Sequence, residues 1–450
     1  MVDIVARLQC VRPHVTAPTV RQLSRIIIAM VAMTGRVTML GLARWAGKGG
    51  SYRTIQRFFT TVLPWGILFW AFFRTYLCSS GAYYLVAGDE VIVTKAGKST
   101  HGLDRFFSSL YGKPVPGLAF FPLSLVSVQE RRSFPMRVEQ VVRSDAEQAA
   151  CKAKAAAKQP QSPQAQRRPG RPKGRTNTNK ASLTLPPELG RIKALLAAFL
   201  QLITKVLAVT YVVLAGHVGP NPALQMARPC HLHLIAKLRC DAALSFPSTG
   251  LYAGRGPRRK YGGKVAYDNL PVPYLISTTV EGEIETRLYQ AQLLHKECAQ
   301  PLNVVSIVQT NRRPQAHAHV LLFSSDLALA AALLVDYDSL RFQIEFNFRE
   351  AKQYWGLEDC MNITPIGVPN AVNLALFMVN VAYHLRADIQ PHDPDYSVLD
   401  LTADWRGYKY VEETIKMLPE KPEPVLLRQM LHKVAGLGRM HALQPCFSFV

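Results

Sequence analysis

The strongest constraint on the fold is an alternation of strand-like and helix-like segments on either side of one basic, low-complexity break. Tyr84–Ala87, ending at Asp89, Leu118–Val128 and Met136–Val142 are apolar or alternating runs of the kind that form buried or half-buried strands. Beyond the break come a helix near Glu188–Lys205, a strand at Leu207–Leu214, a helix near Pro222–Cys230 and a strand at Leu232–Arg239. Such an order packs as α/β layers around a sheet. Residues 242–325 read as β-rich, with alternating Val, Thr, Tyr and Leu and a basic glycine-rich loop over 254–260. Asp326–Trp355 has helical periodicity, and 363–450 is mostly helical with a turn at Pro419–Pro424. The expected organisation is a helical N-terminal domain over 1–80 and a first core part over 81–241 that contains a basic linker, 143–185. A β-rich insertion over 242–325, a core helix within 326–362 and a helical region over 363–450 follow.

The break itself carries information. Between Arg143 and Lys180 the chain has ten basic and two acidic residues among Ala, Gln and Pro, the composition of a solvated linker. Within it, the run from Arg167 to Arg175 resembles the AT-hook, whose Gly-Arg-Pro core is thin enough to enter a narrow minor groove. Arg168, Arg171 and Lys173 are the candidate contacts, and a merely solvated charge run fits the same residues. Over the whole chain, 53 Lys and Arg against 31 Asp and Glu give a net charge of +22. On a chain that is 48% hydrophobic, and hence folded, that excess favours a polyanionic partner, because each neutralised phosphate releases counterions. Charge alone favours nucleic acid without separating it from a ribosome-associated or membrane-surface protein.

The first 80 residues read as helical: Leu23–Met33, then Met39–Ala46, a glycine-rich break at 47–50, and Tyr52–Thr61 capped by Ser51. A helix, a short turn and a helix bearing Arg53, Gln56 and Arg57 suit a helix-turn-helix with its second helix in a DNA groove. An ordinary hairpin with solvated arginines suits them too. The eight cysteines show no CxxC spacing. Cys230-His231-Leu232-His233 with Cys240 fits no familiar zinc pattern and reads as buried free thiols in a reducing cytosol. The apolar stretches 63–77 and 194–216 are interrupted by Pro64, Gly66 and Arg74, and by Gln201, Thr204 and Lys205. Neither offers the ~20 clean apolar residues of a membrane span. The expectation is a soluble cytoplasmic protein with no membrane partner.

The sharpest local signal is Arg341, Glu345 and Lys352. The intervals of four and seven residues put all three on one helical face, with Phe342, Ile344 and Phe346 expected on the buried side. A carboxylate flanked by two cations suits a site that holds a metal and a phosphodiester together, and a surface ion-pair ladder has the same spacing.

The stretch from Arg341 to Cys360 resembles the DDE transposases of bacterial insertion sequences that carry a Tyr–Arg–Glu–Lys signature on a ribonuclease-H-like core. The resemblance implies an α/β, mixed-sheet fold, in which Glu345 is a metal-binding catalytic carboxylate and Arg341 and Lys352 contact the DNA backbone. The family Tyr precedes Arg by three positions; here that position is Asp338, and Tyr337 lies one further back. By the same resemblance, Asp89 at the end of the first core strand is the first catalytic carboxylate. Lys95, Gly97, Lys98, Thr100 and Gly102 match the family's basic, glycine-containing strand and turn.

The second carboxylate is expected in a pattern like Asp-Gly-His-Phe-Gly-Asn. The chain reads Ala215-Gly216-His217-Val218-Gly219-Pro220, so an alanine stands at the aspartate position. Asp241, in a stretch resembling another family landmark, is the possible substitute. The resemblance further implies Mg²⁺ or Mn²⁺ as cofactor, double-stranded DNA (element ends and target) as partner, a homodimer on DNA, and a place at the bacterial nucleoid. Two-metal phosphoryl transfer uses cations ~3.5–4 Å apart, and a methyl group can neither coordinate a cation nor offset its charge. The expectation is therefore a transposase with impaired cleavage, and the alternative a catalytically inactive, transposase-derived DNA-binding protein. An unrelated basic RNA-binding protein would leave the Arg–Glu–Lys spacing, Asp89 and the strand order as coincidences.

Overall fold

The computed structural model describes residues 3–156 and 184–441, apart from short stretches at 109–110, 217–218, 251–253, 255–257, 268–269, 314–315, 360 and 421. Arg168, Arg171 and Lys173 lie outside the described residues.

Five helices come first: α1 (Ile4–Arg7), α2 (Ala17–Ala32), α3 (Met39–Trp45), α4 (Tyr52–Thr60) and α5 (Trp65–Tyr76). Thr16, Thr38 and Ser51 each turn a side-chain oxygen to an orphan amide of the helix that follows, which fixes where α2, α3 and α4 begin. Ser51 thus caps its helix as its sequence position suggests. On α4, Ile55, Phe58 and Phe59 are buried, and Arg53, Gln56 and Arg57 are exposed.

The strands β1 (Tyr84–Gly88), β2 (Val91–Thr94), β3 (Asp104–Ser108), β4 (Lys113–Ser127) and β5 (Arg132–Val141) then form an antiparallel group around β4. The next elements are α6 (Asp145–Ala156), α7 (Pro187–Ile203), β6 (Tyr211–Leu214), α8 (Pro220–Ala227) and β7 (His233–Leu238). Strand β6 runs parallel to β1, and β7 parallel to β6, with helices covering the crossovers. The order β5-β4-β1-β6-β7 in a mixed sheet is consistent with the ribonuclease-H-like core expected.

The β-rich stretch adds β8 (Leu244–Pro247), β9 (Tyr261–Lys264), β10 (Leu275–Glu281), β11 (Ile284–His295), β12 (Leu302–Asn311) and β13 (His317–Ser324). Strand β13 pairs antiparallel with β7, so these strands continue the core sheet. Helices α9 (Ala331–Arg341), α10 (Gln343–Gln353), α11 (Gly367–Ala387), α12 (Val398–Ile415) and α13 (Pro424–Gly436) complete the chain.

Several local expectations need correction. Part of the basic linker, Asp145–Ala156, is a helix, and Glu147 ties it to α7 through Arg191 at 2.9 Å. Strand β6 starts at Tyr211, four residues later than the apolar run, and all four of its residues are buried. Cys240 is exposed and Cys230 only half-buried, so that pair is not a set of buried thiols. The stretch 63–77 forms α5, whose Trp65, Phe69, Phe72 and Phe73 are buried. Among the described residues, α11 is the one unbroken helix long and apolar enough to cross a membrane. It packs inside the fold against β5, α5, α10 and α12, the position of a core helix.

The N-terminal helices and the sheet share one continuous apolar core, and a buried polar latch joins them. Asn370 of α11 accepts from Trp65 Nε1 at 2.7 Å and donates to the carbonyls of Phe59 at 2.9 Å and Thr61 at 2.7 Å. Asn380, three turns on, donates to the carbonyl of Pro135 in β5 at 2.8 Å. Buried donors and acceptors left without partners carry their full desolvation cost. Asn370→Ala is expected to lower unfolding stability by about 3 kcal/mol, measured by urea denaturation, because it strands an indole N–H and two carbonyls.

Candidate active-site cleft

Asp89 is the first residue beyond β1, at the carboxyl end of a strand whose five residues are all buried. Parallel pairing with β6 sets Gly88 opposite Leu214, and pairing of β6 with β7 sets Leu214 opposite Ala236. Asp89 and Ala215 are the residues that directly follow β1 and β6, and Lys237 follows Ala236 within β7. The close approach is real at this corner: a Cβ built on Gly216 would sit 2.8 Å from Lys237 Cβ. The carboxyl ends of parallel strands are where α/β sheets open crevices for ligands.

Helix α9 packs on β1, β6 and β7 and α10 on β5 and α11, and the two are interrupted only at Phe342. Arg341, in the last turn of α9, is ion-paired through Nη1 with Asp89 Oδ2, and the two side chains are only 15% and 13% exposed. The other Asp89 oxygen accepts from the Glu90 amide at 2.9 Å. Arg341 Nε is buried and has no hydrogen-bond partner.

Four residues on, Glu345 opens to the cleft. Its carboxyl is pushed above the usual range by partial burial and then by the Asp89 charge, against the opposing pull of Arg341 and Lys352. Lys352 Nζ meets Glu358 Oε1 at 3.0 Å. Asp89, Glu345, Arg349, Lys352, Phe107 and Tyr111 line a cleft of about 820 Å³. A neighbouring cavity of about 920 Å³, lined by Arg36, Lys95, Gly97 and Thr100, shares Thr94, Tyr111 and Glu358 with it. The two form one groove along strand β2.

The structure therefore brings Asp89, Arg341, Glu345 and Lys352 together, with Lys95 further along the groove and Lys98 exposed beside it. It does not bring the others. Asp241 is exposed in the turn after β7 and is paired with Arg239 at 2.9 Å. Tyr337 is buried, packed at 6.2 Å from Tyr83 and 5.5 Å from Tyr211, so it is a core aromatic and not a groove residue. Arg53 and Arg57 are exposed on α4 and do not line the groove. Phe342 and Phe346, expected on the buried side, are 55% and 41% exposed and meet edge to face at 5.5 Å. The buried row of α10 is Ile344, Asn347, Phe348 and Ala351. Two apolar rows lie on this helix, and packing on β5 and α11 selects the second.

Asp338 and Lys237 were not singled out from the sequence as site residues. Asp338, one turn before Arg341 on α9, is 8% exposed and meets Lys237 Nζ at 3.5 Å through Oδ2, while its Oδ1 has no partner. The signal that could have found it is the helical interval of three to Arg341 and seven to Glu345.

A sequence profile described as the DDE superfamily endonuclease family matches residues 10–297 of this chain, a span that includes Asp89 and Ala215. The chain belongs to that family. No curated protein matches it.

Nucleases of this superfamily generally use divalent metals. Asp89 and Glu345 are the family-predicted carboxylates that line this cleft, two and not three. Asp89 and Glu345 are close enough for the charge of one to raise the pKa of the other, which a cation between them would relieve. At position 215 there is only a methyl group, and among the described residues no three His, Cys, Asp or Glu side chains are grouped to hold a metal.

The mutual cost of these charges has a measurable consequence. A carboxyl whose pKa is raised by folding weakens the fold once it ionises, so its penalty is full at neutral pH and disappears as pH falls below the ordinary carboxylate pKa. In metal-free buffer at pH 7, Glu345→Gln is expected to raise the melting temperature by roughly 1–3 °C. That gain should shrink towards zero near pH 4, where the native Glu345 is protonated too. A melting temperature lowered by the substitution at pH 7 would contradict the assignment.

Proposed function

We propose that this protein is an insertion-sequence-type DNA transposase that holds double-stranded DNA in the groove beside β2 and cuts it poorly. In this reading Asp89 and Glu345 are the catalytic carboxylates, Lys352 and Lys95 meet the DNA backbone, and element ends and target DNA are the substrates. The observation that carries it is Asp89, ion-paired with Arg341 and sharing a cleft with Glu345 and Lys352, in a chain of the DDE superfamily endonuclease family. The limiting case is a protein that binds DNA and does not cut it. A homodimer on DNA and a place at the nucleoid follow from the same reading.

Asp89 and Glu345 would hold one Mg²⁺ or Mn²⁺. Bound there, the ion would supply Lewis-acid polarisation of a phosphodiester. The chain's own residues do the rest. Lys352, at the cleft lining, attracts and orients the phosphate backbone, and Arg341 fixes Asp89 at the cleft's inner end. Asp89 is already neutralised by Arg341, so the backbone meets less repulsion than two bare carboxylates would give. Arg349, stacked on Phe346 at 4.6 Å, extends the basic edge on the exposed side of α10.

Two outcomes test this. Nicking of supercoiled plasmid in Mn²⁺ should be at least ~100-fold faster for Ala215→Asp than for the native chain, since the substitution returns an acid to a site that works by positioning and charge. Equal rates would contradict the role given to position 215. Separately, duplex binding by fluorescence anisotropy should weaken for Lys352→Ala, and the slope of log K against log salt should fall by roughly one. An unchanged slope would remove Lys352 from the DNA interface.

A further inference from the structure

A cavity of about 750 Å³ lies at the far edge of the sheet from the groove, where β9 ends the strand order. None of the described residues lining it is charged. Phe246 of β8 and Tyr274, just before β10, form its aromatic side and stack on each other at 5.1 Å with ring planes 20° apart. Both are half-buried, and Ile276 and Leu327 beside them are exposed. An apolar and aromatic lining with a few amide groups, Gln292 among them, is the make-up of a ligand site.

The backbone keeps the cavity open. Tyr261 of β9 pairs with Pro247 and Lys264 with Ser245, so Gly262 and Gly263 together face the single residue Phe246. A bulge of this kind bends its strand and re-aims side chains. A Cβ on Gly262 would lie 2.9 Å from the Pro247 carbonyl oxygen, so glycine is what lets the two strands close there. A Cβ on Gly263 would meet nothing within 4 Å. In the cavity wall, Gln290 accepts from the Ala331 amide at 3.2 Å and Asn303 donates to the Leu329 carbonyl at 2.7 Å, which fixes the start of α9 against the cavity.

The rim is basic. Residues 258–264 read Arg-Arg-Lys-Tyr-Gly-Gly-Lys, with all four cations exposed and no acid among them. An uncharged, aromatic-walled cavity beside a run of cations matches a polymer whose units are flat and aromatic at one end and anionic at the other, with the flat faces uncovered. A nucleic-acid strand with unpaired bases is such a polymer. Helix α9 leads from Ala330 at the cavity to Arg341 beside Asp89, about 16 Å along its axis, the span of about five nucleotides.

We propose that this cavity is a single-stranded DNA subsite, which stacks one unpaired base on the Phe246–Tyr274 pair while Lys264 and the cations before it hold the adjoining phosphates. A base inside a duplex has both faces covered by its neighbours, so the subsite selects unpaired strand. The inference takes from the proposed function only that DNA is the substrate, and it adds a contact away from the groove.

The test uses the full chain and a short oligothymidylate carrying one 5-iododeoxyuridine, photo-cross-linked and mapped by mass spectrometry. Iodouracil couples to an aromatic ring stacked on it, so the expected adducts are on Phe246 or Tyr274. Adducts confined to other segments, or no binding of the oligonucleotide, overturn the proposal. In fluorescence anisotropy, Tyr274→Ala should weaken oligonucleotide binding about tenfold and Tyr274→Phe should preserve it. Gly263→Leu fills open space without removing a contact, so it should weaken binding to a similar degree at an unchanged melting temperature. Equal binding by native and Gly263→Leu overturns the proposal, and this comparison decides if Tyr274→Ala fails to fold. Thymidine monophosphate binding as tightly as the oligonucleotide would make this a site for free nucleotides and overturn it as well. Duplex binding and its dependence on Lys352, read on the same preparations, keep failure of this subsite distinct from failure of the groove.

Discussion

The ion pair between Arg341 and Asp89 is the point at which helix and sheet become one site. Asp89 is held by the end of a fully buried strand, and Arg341 by the last turn of α9. Both side chains are largely withdrawn from water, where an unpaired charge of either sign would be costly. Fixing that pair fixes the face of α9 and α10 that looks into the cleft, and with it Glu345 and Lys352. The parallel register sets Leu214 and Ala236 level with Gly88, the residue before Asp89. The apolar core beneath, joined by Asn370 and Asn380 to the N-terminal helices and β5, gives that edge a rigid base.

Much of this was legible in the residues. The intervals among Arg341, Glu345 and Lys352 follow the helical period, so their shared face needed no tertiary information. Asp89 and Ala215 each follow a short apolar strand, and their adjacency comes from pairing those strands. What was not legible depends on contacts distant in sequence. Helix α10 has two apolar rows, and periodicity alone cannot say that Ile344 and Phe348 go inside while Phe342 and Phe346 face out. Tyr337 went to the core because Tyr83 and Tyr211, more than a hundred residues away, form its pocket. The pairing of β13 with β7 makes the β-rich stretch a continuation of the core sheet, a fact that no local pattern carries.

The groove carries charges of both signs, with Asp89, Glu90, Glu345, Glu358 and Asp359 among its acids. Lys95, Arg36, Lys352 and Arg349 lie along one groove, while Arg53 and Arg57 form a separate exposed row on α4. Membership of the DDE superfamily endonuclease family implies DNA as the substrate class. Lys237 of β7 is paired with Asp338 of α9.

The most direct test of this account is the anomalous scattering of Mn²⁺ soaked into crystals of the full chain. The account requires a single peak, in contact with Asp89 and Glu345, and none beside Ala215. Two peaks bridged by Asp89 at the spacing of a two-metal centre, ~3.5–4 Å, would contradict it.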